Sequence, residues 1–247
     1  MQDQNILLQK QVELTPHLNG NKLPVTEIFF SIQGEGVYAG LPAVFLRTTY
    51  CNLWCEWCDT KYTWKRGLIK TDHLSLNAVA EKILAHHAAR LLVVTGGEPL
   101  LHKAQLAKIF EIIKTKTDLA VEIETNGTTP PSTKLDEYVS HYNVSPKLSN
   151  SGIEWRYRIK QDTLAFYNNS PKADFKFVIM NEADVDEVLD LIDKGLIKSE
   201  KVLLMPEGTD SRVLLQRSQW IVELCKKYGF RFSPRLHIWL WGNRKGV

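Results

Sequence analysis

The chain has 247 residues, 44% of them apolar and 24% charged, which is typical of one folded globular domain and not of a disordered chain. Its net charge of +3, from 31 basic and 28 acidic residues, gives no electrostatic reason to expect a nucleic-acid partner. The sequence contains no apolar run long enough to span a bilayer, and its four cysteines are too few for a secreted disulfide framework, so we expect a cytoplasmic protein.

Residues 1–24 are polar and carry neither the apolar segment nor the small-residue cleavage site of a signal peptide. We predict an N-terminal extension over residues 1–24 and a single domain over residues 25–247. From Val25 onward, short β-rich runs alternate with amphipathic stretches. This alternation is typical of βα units and a mostly parallel sheet.

The predicted strands cover residues 43–48, 91–95, 119–124, 142–144, 174–180, 201–205 and 236–240. The predicted helices cover residues 76–89, 103–114, 132–140, 182–193 and 212–228, and the stretch 148–172 is polar with weak secondary-structure signals. A complete eightfold barrel needs eight strands. We therefore predict an α/β fold, an incomplete (β/α) barrel of about six or seven mostly parallel strands. Its functional residues should lie at the carboxyl ends of the strands.

Three cysteines follow the first predicted strand with the spacing C-x3-C-x2-C, at Cys51, Cys55 and Cys58. A tight loop with three thiolates can direct them at three corners of an iron–sulfur cubane. A complete ferredoxin shell has four cysteines, so three would leave one iron open to a cosubstrate. The alternatives are three unrelated cysteines or a structural zinc site, although zinc prefers four ligands and the nearest histidine is His73. Cys225, in a predicted helix, is a candidate core thiol.

Further polar motifs stand at the ends of predicted strands. The segment TGGEP at 95–99 combines glycines, which let the backbone approach a ligand, with a carboxylate that can accept from an ammonium. Glu122 and Glu124 point to the same face of their strand, before the Asn-Gly pair at 126–127. From the residues alone, these segments could also be an ordinary Gly-Gly turn and a polar strand end closed by an Asn-Gly turn.

Other motifs are short. SPK at 145–147 and MPEG at 205–208 end two further predicted strands, and each could be a turn. Arg47 lies in the first predicted strand, where it could bind a carboxylate or form a surface salt bridge. Asp59 and Thr60 follow the last cysteine, where they could form a helix N-cap.

Together these motifs resemble a known family. The cysteine spacing, with Trp57 before the third cysteine, and GGEP at 96–99 resemble the radical S-adenosylmethionine superfamily. With SIQGEG at 31–36, CDT at 58–60, SPK and the terminal RLHIWLWGNRKGV at 235–247, the chain is similar to the 7-carboxy-7-deazaguanine synthase family from Val25 to Val247. SIQGEG and CDT discriminate, because many radical enzymes share the cysteines and GGEP.

The resemblance implies a carbon–nitrogen lyase that converts 6-carboxy-5,6,7,8-tetrahydropterin into 7-carboxy-7-deazaguanine with loss of ammonia, a step towards queuosine and other 7-deazapurines. It implies a 4Fe–4S cluster, S-adenosylmethionine and Mg²⁺ as cofactors. It also implies a flavodoxin or ferredoxin as reductant, and a homodimer. Because the cofactor carries the radical, no catalytic side chain is expected.

The resemblance also assigns roles to residues. It implies that Cys51, Cys55 and Cys58 bind the cluster and that Thr60 binds Mg²⁺. The implied cofactor-binding residues are Trp57, Cys58, Asp59, Gly97, Glu98, Ser145, Pro146, Lys147, Met205, Pro206, Glu207 and Gly208. The implied substrate-binding residues are Ile32, Gln33, Gly34, Arg47, Thr95 and Val247.

Three of these assignments have a chemical reason or an alternative. The guanidinium fork of Arg47 matches the two oxygens of the substrate carboxylate. Trp57 would lie beside the adenine, or else be a packing residue. We also expect His237 to help the C-terminal Val247 close the pocket.

Two other functions remain open at this point. A glycyl-radical-activating enzyme would use the same chemistry on a protein substrate, although SIQGEG and CDT argue against it. The other is a non-catalytic iron–sulfur or zinc module that binds a partner.

Overall fold

The structure is a computed structural model and describes residues 20–247. Residues 1–19, most of the predicted N-terminal extension, lie outside the described residues. The strands are β1 (Lys22–Ile32), β2 (Pro42–Thr48), β3 (Asp72–Ser75), β4 (Leu91–Gly96), β5 (Ala120–Thr125), β6 (His141–Val144), β7 (Ala173–Ile179), β8 (Val202–Pro206) and β9 (Arg231–Phe232). They form one open sheet in the order β3-β1-β2-β4-β5-β6-β7-β8-β9.

Strand β2 and strands β4 to β9 are neighbours in this order and pair in parallel. This arrangement confirms the predicted partial barrel. The helices are α1 (Leu76–Leu84), α2 (Lys103–Lys114), α3 (Thr133–Asp136), α4 (Trp155–Arg158), α5 (Gln161–Asn169), α6 (Glu182–Asp193), α7 (Ser211–Tyr228) and α8 (Leu236–Trp241). Short 3-10 turns cover Gly36–Tyr38, Lys61–Thr63, Pro99–His102, Ser149–Ser151 and Ser199–Lys201. None of the helices in the described part of the chain is long and apolar enough to cross a membrane.

At the edge next to β2, the sheet has two strands, β1 and β3, beyond the predicted ones. Strand β1 pairs antiparallel with both β2 and β3, and the sequence analysis predicted neither β1 nor β3. Strand β1 begins at Lys22, so the sheet starts inside the segment predicted as an extension. Antiparallel edge strands are common on otherwise parallel sheets, but their pairing partners are set by the rest of the sheet.

Two predicted segments were wrong. The last strand, predicted at 236–240, is the helix α8, and the last strand of the sheet is instead the two-residue β9. The alternation of apolar and polar residues there is compatible with a strand, but the register with β8 is taken by Arg231 and Phe232. The stretch 148–172, predicted to have only weak secondary-structure signals, contains α4 and α5. Helix α4 is a single turn, and α5 is polar with a weak apolar period.

Helix ends also differ from the predictions. The helix predicted at 132–140 is the single turn α3, capped by the Ser132 hydroxyl, which accepts from the backbone N–H of Leu135. Helix α1 ends at Leu84 and not at the predicted residue 89. Helix α7 matches its prediction closely, because Asp210 caps its start and Gly229, in the left-handed conformation, ends it.

The main apolar core lies between the sheet and its helices. Alternate strand residues such as Val94, Ile123 and Phe177 enter this core and are fully buried. Their neighbours in the chain point to the other, concave face. That face is apolar at Phe45 and Val93, in a second small cluster, and polar farther along the sheet. The polar part lies next to the carboxyl ends of the strands.

Candidate active site

The carboxyl ends of the parallel strands, the cysteine loop and the C-terminal tail surround one cavity of about 280 Å³. Most of the residues that the sequence analysis assigned to ligands line this cavity. They are Ile32, Gln33, Gly34, Arg47, Cys51, Cys55, Trp57, Cys58, Asp59, Thr60, Thr95, Gly97, Ser145, Lys147, Met205, Glu207, His237 and Val247. Glu98, Pro146, Pro206 and Gly208 belong to the same loops but are not among the lining residues.

The cysteine loop follows β2 and places its three thiols at the cavity. All three are free thiols. The backbone N–H of Leu53 donates to the Cys51 sulfur at 3.4 Å. The indole N–H of Trp64 donates to the Cys58 sulfur at 3.3 Å. These donors would stabilise the sulfur atoms as thiolates when a metal is bound.

The acidity of the thiols reflects their burial. Burial raises the pKa of Cys55 to about 11, and Lys147 offsets this only in part. Burial also raises the pKa of Cys51, with a further contribution from Glu98. A bound metal would remove this penalty, because it replaces the proton on each sulfur.

Three cysteines without a fourth ligand fit a cubane better than a single ion. Within residues 20–247, no three His, Cys, Asp or Glu side chains converge as they would around one metal ion. A 4Fe–4S cluster does not require that convergence, since each cysteine binds a different iron. Cys225 is buried in the core on α7, where its thiol lies near the backbone oxygen of Arg231, and it does not line the cavity.

The Gly-Gly pair after β4 packs against the backbone that carries the first cysteine. A Cβ atom at Gly96 would lie 2.1 Å from the Thr48 carbonyl oxygen, and one at Gly97 would lie 1.9 Å from that of Tyr50. Gly96 also has a φ of +135°, which favours glycine. These two positions therefore exclude any side chain, and they hold β4 tightly against the cysteine loop.

Glu98 lies behind the cavity wall and is completely buried. Its carboxylate accepts hydrogen bonds from the backbone N–H groups of Leu100 and Asn126 and from the Thr125 hydroxyl. Burial raises the pKa of Glu98, and these hydrogen bonds lower it in part. In this structure Glu98 joins the GGEP segment to the ETNGT segment at 124–128, and its contact with a cosubstrate remains a prediction.

Trp57 and the SPK segment lie together. The ammonium of Lys147 lies 5.4 Å from the centre of the Trp57 ring and donates to the Ser145 hydroxyl at 2.8 Å. The Trp57 indole N–H donates to the Asn150 side chain at 3.1 Å. Thr60 begins the short turn Lys61–Thr63, but its hydroxyl makes no cap hydrogen bond and lies 3.5 Å from the Cys58 sulfur. Thr60 therefore occupies the N-cap position that the alternative predicted, but it does not form the hydrogen bond of an N-cap.

Arg47 lies at the cavity wall and also forms a salt bridge. Its Nε donates to the carboxylate of Glu27 at 2.6 Å, and the two side chains are only 16% and 24% exposed. The salt bridge of Arg47 is therefore inside the cavity and not on the surface, and the binding of a substrate carboxylate by Arg47 stays a prediction.

A polar floor joins β1 to β4 and β5. The amide N–H₂ of Gln33 donates to Glu122 at 2.5 Å and to Glu124 at 3.2 Å, and the Thr95 hydroxyl donates to Glu124 at 2.7 Å. Glu122 is buried below the floor, where it is bonded to His141 at 3.1 Å. Glu124 lines the cavity, so it is the member of the pair that a ligand would meet.

An ion cluster joins four distant segments at the side of the cavity, and all of its members except Asp59 are largely buried. Glu35 is paired with Lys176 on β7 and, at 2.9 Å, with Arg235. Arg235 also donates to Asp59 at 2.5 Å and to the backbone oxygen of Gly208 at 2.6 Å. Burial alone would raise the pKa of Glu35, but Lys176 and Arg235 hold it well below its ordinary value. The cluster therefore fixes the SIQGEG loop relative to the cysteine loop and the C-terminal segment.

The C-terminal tail closes one side of the cavity. The His237 ring lies 3.9 Å from Glu35 and would be met by any side chain at Gly34. Burial lowers the pKa of His237. Lys245 lies over the Tyr62 ring, with its ammonium 3.7 Å from the ring centre. Val247 lines the cavity at the end of this tail.

The sequence analysis missed several residues of the site. Lys176 interrupts the apolar strand DFKFVIM, and Glu27 precedes the three apolar residues of TEIFF, so both carried a signal as charged residues inside β-rich runs. Arg235 begins the terminal motif at 235–247, but the sequence analysis gave it no role of its own. Asn143 is buried at the cavity, and its side-chain nitrogen has no hydrogen-bond partner among the described residues, so it offers a donor to a ligand.

Comparisons with known proteins identify the family of this chain. The model of the Radical SAM superfamily matches residues 45–194, which include the cysteine loop, GGEP and SPK. A 7-carboxy-7-deazaguanine synthase from Pyrobaculum aerophilum is 40% identical over 228 residues, covering 91% of this chain and 97% of the relative. The chain belongs to the 7-carboxy-7-deazaguanine synthase family. A second relative with this name, from Halobacterium salinarum, is 32% identical and covers 91% of this chain and 93% of its own.

A solved structure supports the fold of this family. The crystal structure of QueE from Escherichia coli matches with a TM-score of 0.67 over 91% of this chain and 97% of that chain, at 24% identity. Family membership decides against the alternatives of a glycyl-radical-activating enzyme and a non-catalytic metal module.

Proposed function

We propose that this chain is a 7-carboxy-7-deazaguanine synthase, which contracts the ring of 6-carboxy-5,6,7,8-tetrahydropterin and releases ammonia. One observation carries the proposal. A single cavity contains three free thiols at one end and, at another wall, a partly buried arginine that matches a carboxylate. The names of the relatives supply the reaction, and this combination of groups is what the reaction requires of the site.

The donor set fits the cofactors of the family. Cys51, Cys55 and Cys58 would hold the 4Fe–4S cluster, which with S-adenosylmethionine supplies the radical that starts the reaction when both are bound. Trp57, Lys147 and the Gly-Gly pair at 96–97 surround the same end of the cavity and would orient the cosubstrate. Thr60, beside the third cysteine, would contribute one oxygen to Mg²⁺, a cation that usually takes few protein ligands.

The remaining residues would orient the pterin. Arg47 would bind its carboxylate, and Gln33, Thr95 and Glu124 would form hydrogen bonds with the ring. Asn143 would add a donor from the cavity side of β6. The tail that ends at Val247 would then exclude water from the closed site.

The reductant, the oligomeric state, the domain and the location are also proposed. From the family resemblance we infer a flavodoxin or ferredoxin as the reductant and a homodimer. We also infer one domain, which begins with β1 at Lys22 and not at the predicted residue 25. A cytoplasmic location is supported by the need to keep three cluster cysteines reduced. No direct role in nucleic-acid binding is proposed.

The proposed function is tested by anaerobic reconstitution of the wild-type protein with iron and sulfide, followed by incubation with the pterin, S-adenosylmethionine and a reductant. We expect 7-carboxy-7-deazaguanine and ammonia in equal amounts. Replacing Arg47 by Ala should lower pterin turnover by about thirtyfold to several-thousandfold, the range for loss of one partner of a buried charged pair.

The control in the same Arg47→Ala preparation is cleavage of S-adenosylmethionine without pterin. This cleavage and the iron content should match those of the wild type. Turnover of a peptide in place of the pterin would contradict the proposed function. Unchanged pterin turnover in Arg47→Ala would contradict only the role of Arg47 and not the proposed function.

A further inference from the structure

A β-bulge determines which residue faces Arg47. Along the β1–β2 pair, Val25 is opposite Thr48, but Arg47 is opposite Glu27, so strand β1 has one extra residue at this point. With regular pairing, Thr26 would be opposite Arg47. Bulges next to active sites often redirect a side chain in this way. Here the bulge puts a carboxylate on the cavity face, directly opposite the guanidinium.

The contact with Glu27 uses only one edge of the guanidinium. Nε of Arg47 donates to Glu27, so the two Nη groups remain for the cavity side. The ring of Phe29 lies 5.9 Å from the guanidinium carbon and is itself stacked on Phe45 at 4.9 Å. The guanidinium is thus held at one edge and one face.

A tyrosine from the cysteine loop holds Glu27 in turn. The Tyr62 hydroxyl donates to the same Glu27 oxygen at 3.1 Å. The ammonium of Lys245 covers the Tyr62 ring. Tyr62 therefore connects Arg47 to both the cysteine loop and the C-terminal tail.

We propose that Glu27 and Tyr62 are positioning residues that hold Arg47 with its Nη edge towards the substrate carboxylate, and that they thereby set the selectivity for a carboxylated pterin. The inference rests on the proposed function, since it takes the substrate carboxylate as the partner of Arg47. Neither residue needs to touch the substrate. Their effect is to restrict the guanidinium to one orientation before the substrate arrives, which lowers the ordering cost of binding.

Three variants separate geometry from charge. Glu27→Ala removes both the acceptor and its charge, Glu27→Gln keeps an acceptor oxygen without the charge, and Tyr62→Phe removes only the hydroxyl. Glu111→Ala is the control, because it breaks an exposed pair with Lys134 that is far more solvated.

The readout is equilibrium binding of 6-carboxytetrahydropterin and of tetrahydropterin without the carboxylate, measured by anaerobic isothermal titration calorimetry without S-adenosylmethionine. Glu27→Ala should weaken binding of the carboxylated pterin about ten- to hundredfold, the worth of a hydrogen bond to a charged group. Tyr62→Phe should weaken it about two- to tenfold. Glu27→Gln should stay close to wild type, and the uncarboxylated pterin should bind all variants equally.

Kinetics with the reconstituted enzyme should show the same pattern in KM, with kcat and uncoupled cleavage of S-adenosylmethionine little changed. Equal losses in Glu27→Ala and Glu27→Gln would overturn the proposal, because they would assign the effect to charge. Tighter binding of the carboxylated pterin by Glu27→Ala would also overturn it, since Glu27 would then be a competitor for Arg47.

If Glu27→Ala does not fold, Tyr62→Phe still decides, because unchanged selectivity in that variant contradicts the proposal. Failure of the proposed function would look different. The wild-type protein would then bind the carboxylated and the uncarboxylated pterin equally and would turn over neither.

Discussion

Buried side chains on the two faces of the parallel sheet differ in the contacts that they need. Glu122 and Ile123 are neighbours on β5, and both are completely buried. Ile123 enters the apolar core, whereas Glu122 is on the concave face and is hydrogen bonded to Gln33 and His141. An apolar side chain needs only volume around it, while a buried charge needs a specific partner in a specific direction.

Strand β7 shows the same contrast. Phe175 and Phe177 pack against the helices, and Lys176 between them points to the cavity and pairs with Glu35. Burial pulls the pKa of Lys176 down, but Glu35, Glu124 and Glu122 together raise it above its ordinary value. Packing of apolar side chains is therefore enough to bury the convex face. The charged side chains of the concave face need ion-pair partners from distant segments.

The largest effect is expected on the convex face. Phe177→Ala should lower the free energy of unfolding by about 3–5 kcal/mol, since it removes a fully buried ring from the core. The measurement is chemical denaturation of the reduced apoprotein. Phe166→Ala is the control, because Phe166 is 39% exposed and its loss should cost much less. A similar cost in both variants would contradict the difference between core and surface.

On the concave face of the same strand, Lys176→Met should cost about 3 kcal/mol, because it leaves Glu35 buried with Arg235 as its remaining partner. The ordinary pKa of Glu35 is 4.5, and pairing lowers it in the folded protein. Its contribution to stability is therefore present above about pH 4.5 and is lost as the pH falls towards the folded-state pKa.

Without Lys176 the pKa of Glu35 should be lowered less. The stability difference between the wild type and Lys176→Met should thus be full at pH 7 and shrink below about pH 4.5. Denaturation curves at both pH values test this. A difference that stays constant with pH would show that Lys176 stabilises by packing and not by charge.

A pair of exchanges on β4 tests the faces more directly. Val94→Thr puts a hydroxyl into the apolar core, and Thr95→Val removes the hydroxyl that donates to Glu124. Each should cost about 1–3 kcal/mol of unfolding free energy, for a buried polar group left without a partner. Only Thr95→Val should also slow pterin turnover. A loss of turnover in both variants would indicate general damage to the fold.

The smallest effect is expected at Cys225. Because its thiol is packed in the core, Cys225→Ala should lower the free energy of unfolding by about 1 kcal/mol or less. Iron content after reconstitution should stay at about four per chain. Loss of the cluster from a folded Cys225→Ala protein would make Cys225 a ligand after all.

Much of the fold could be predicted from local pattern. Alternation located six of the parallel strands, and the apolar period of 182–193 and 212–228 located α6 and most of α7. The predictions for segments with weak sequence patterns failed for a physical reason. Helix α4 is a single turn, α5 has a weak apolar period, and β9 has only two residues, so the contacts around them decide their structure.

For the site, the sequence by itself determined the groups that lie close together along the chain. Cys51, Cys55 and Cys58 reach one cavity because a short loop connects them, and GGEP stands beside them because β4 pairs with β2. Local geometry and the parallel order of strands suffice for such residues.

Only the tertiary structure decided the partners of the buried charges. Glu35 meets Lys176 across 141 residues and Arg235 across 200 residues of sequence. Glu27 faces Arg47 because of a bulge that the pattern of β1 does not reveal. Such contacts depend on the relative placement of whole strands, and a bulge of one residue changes which side chain meets which.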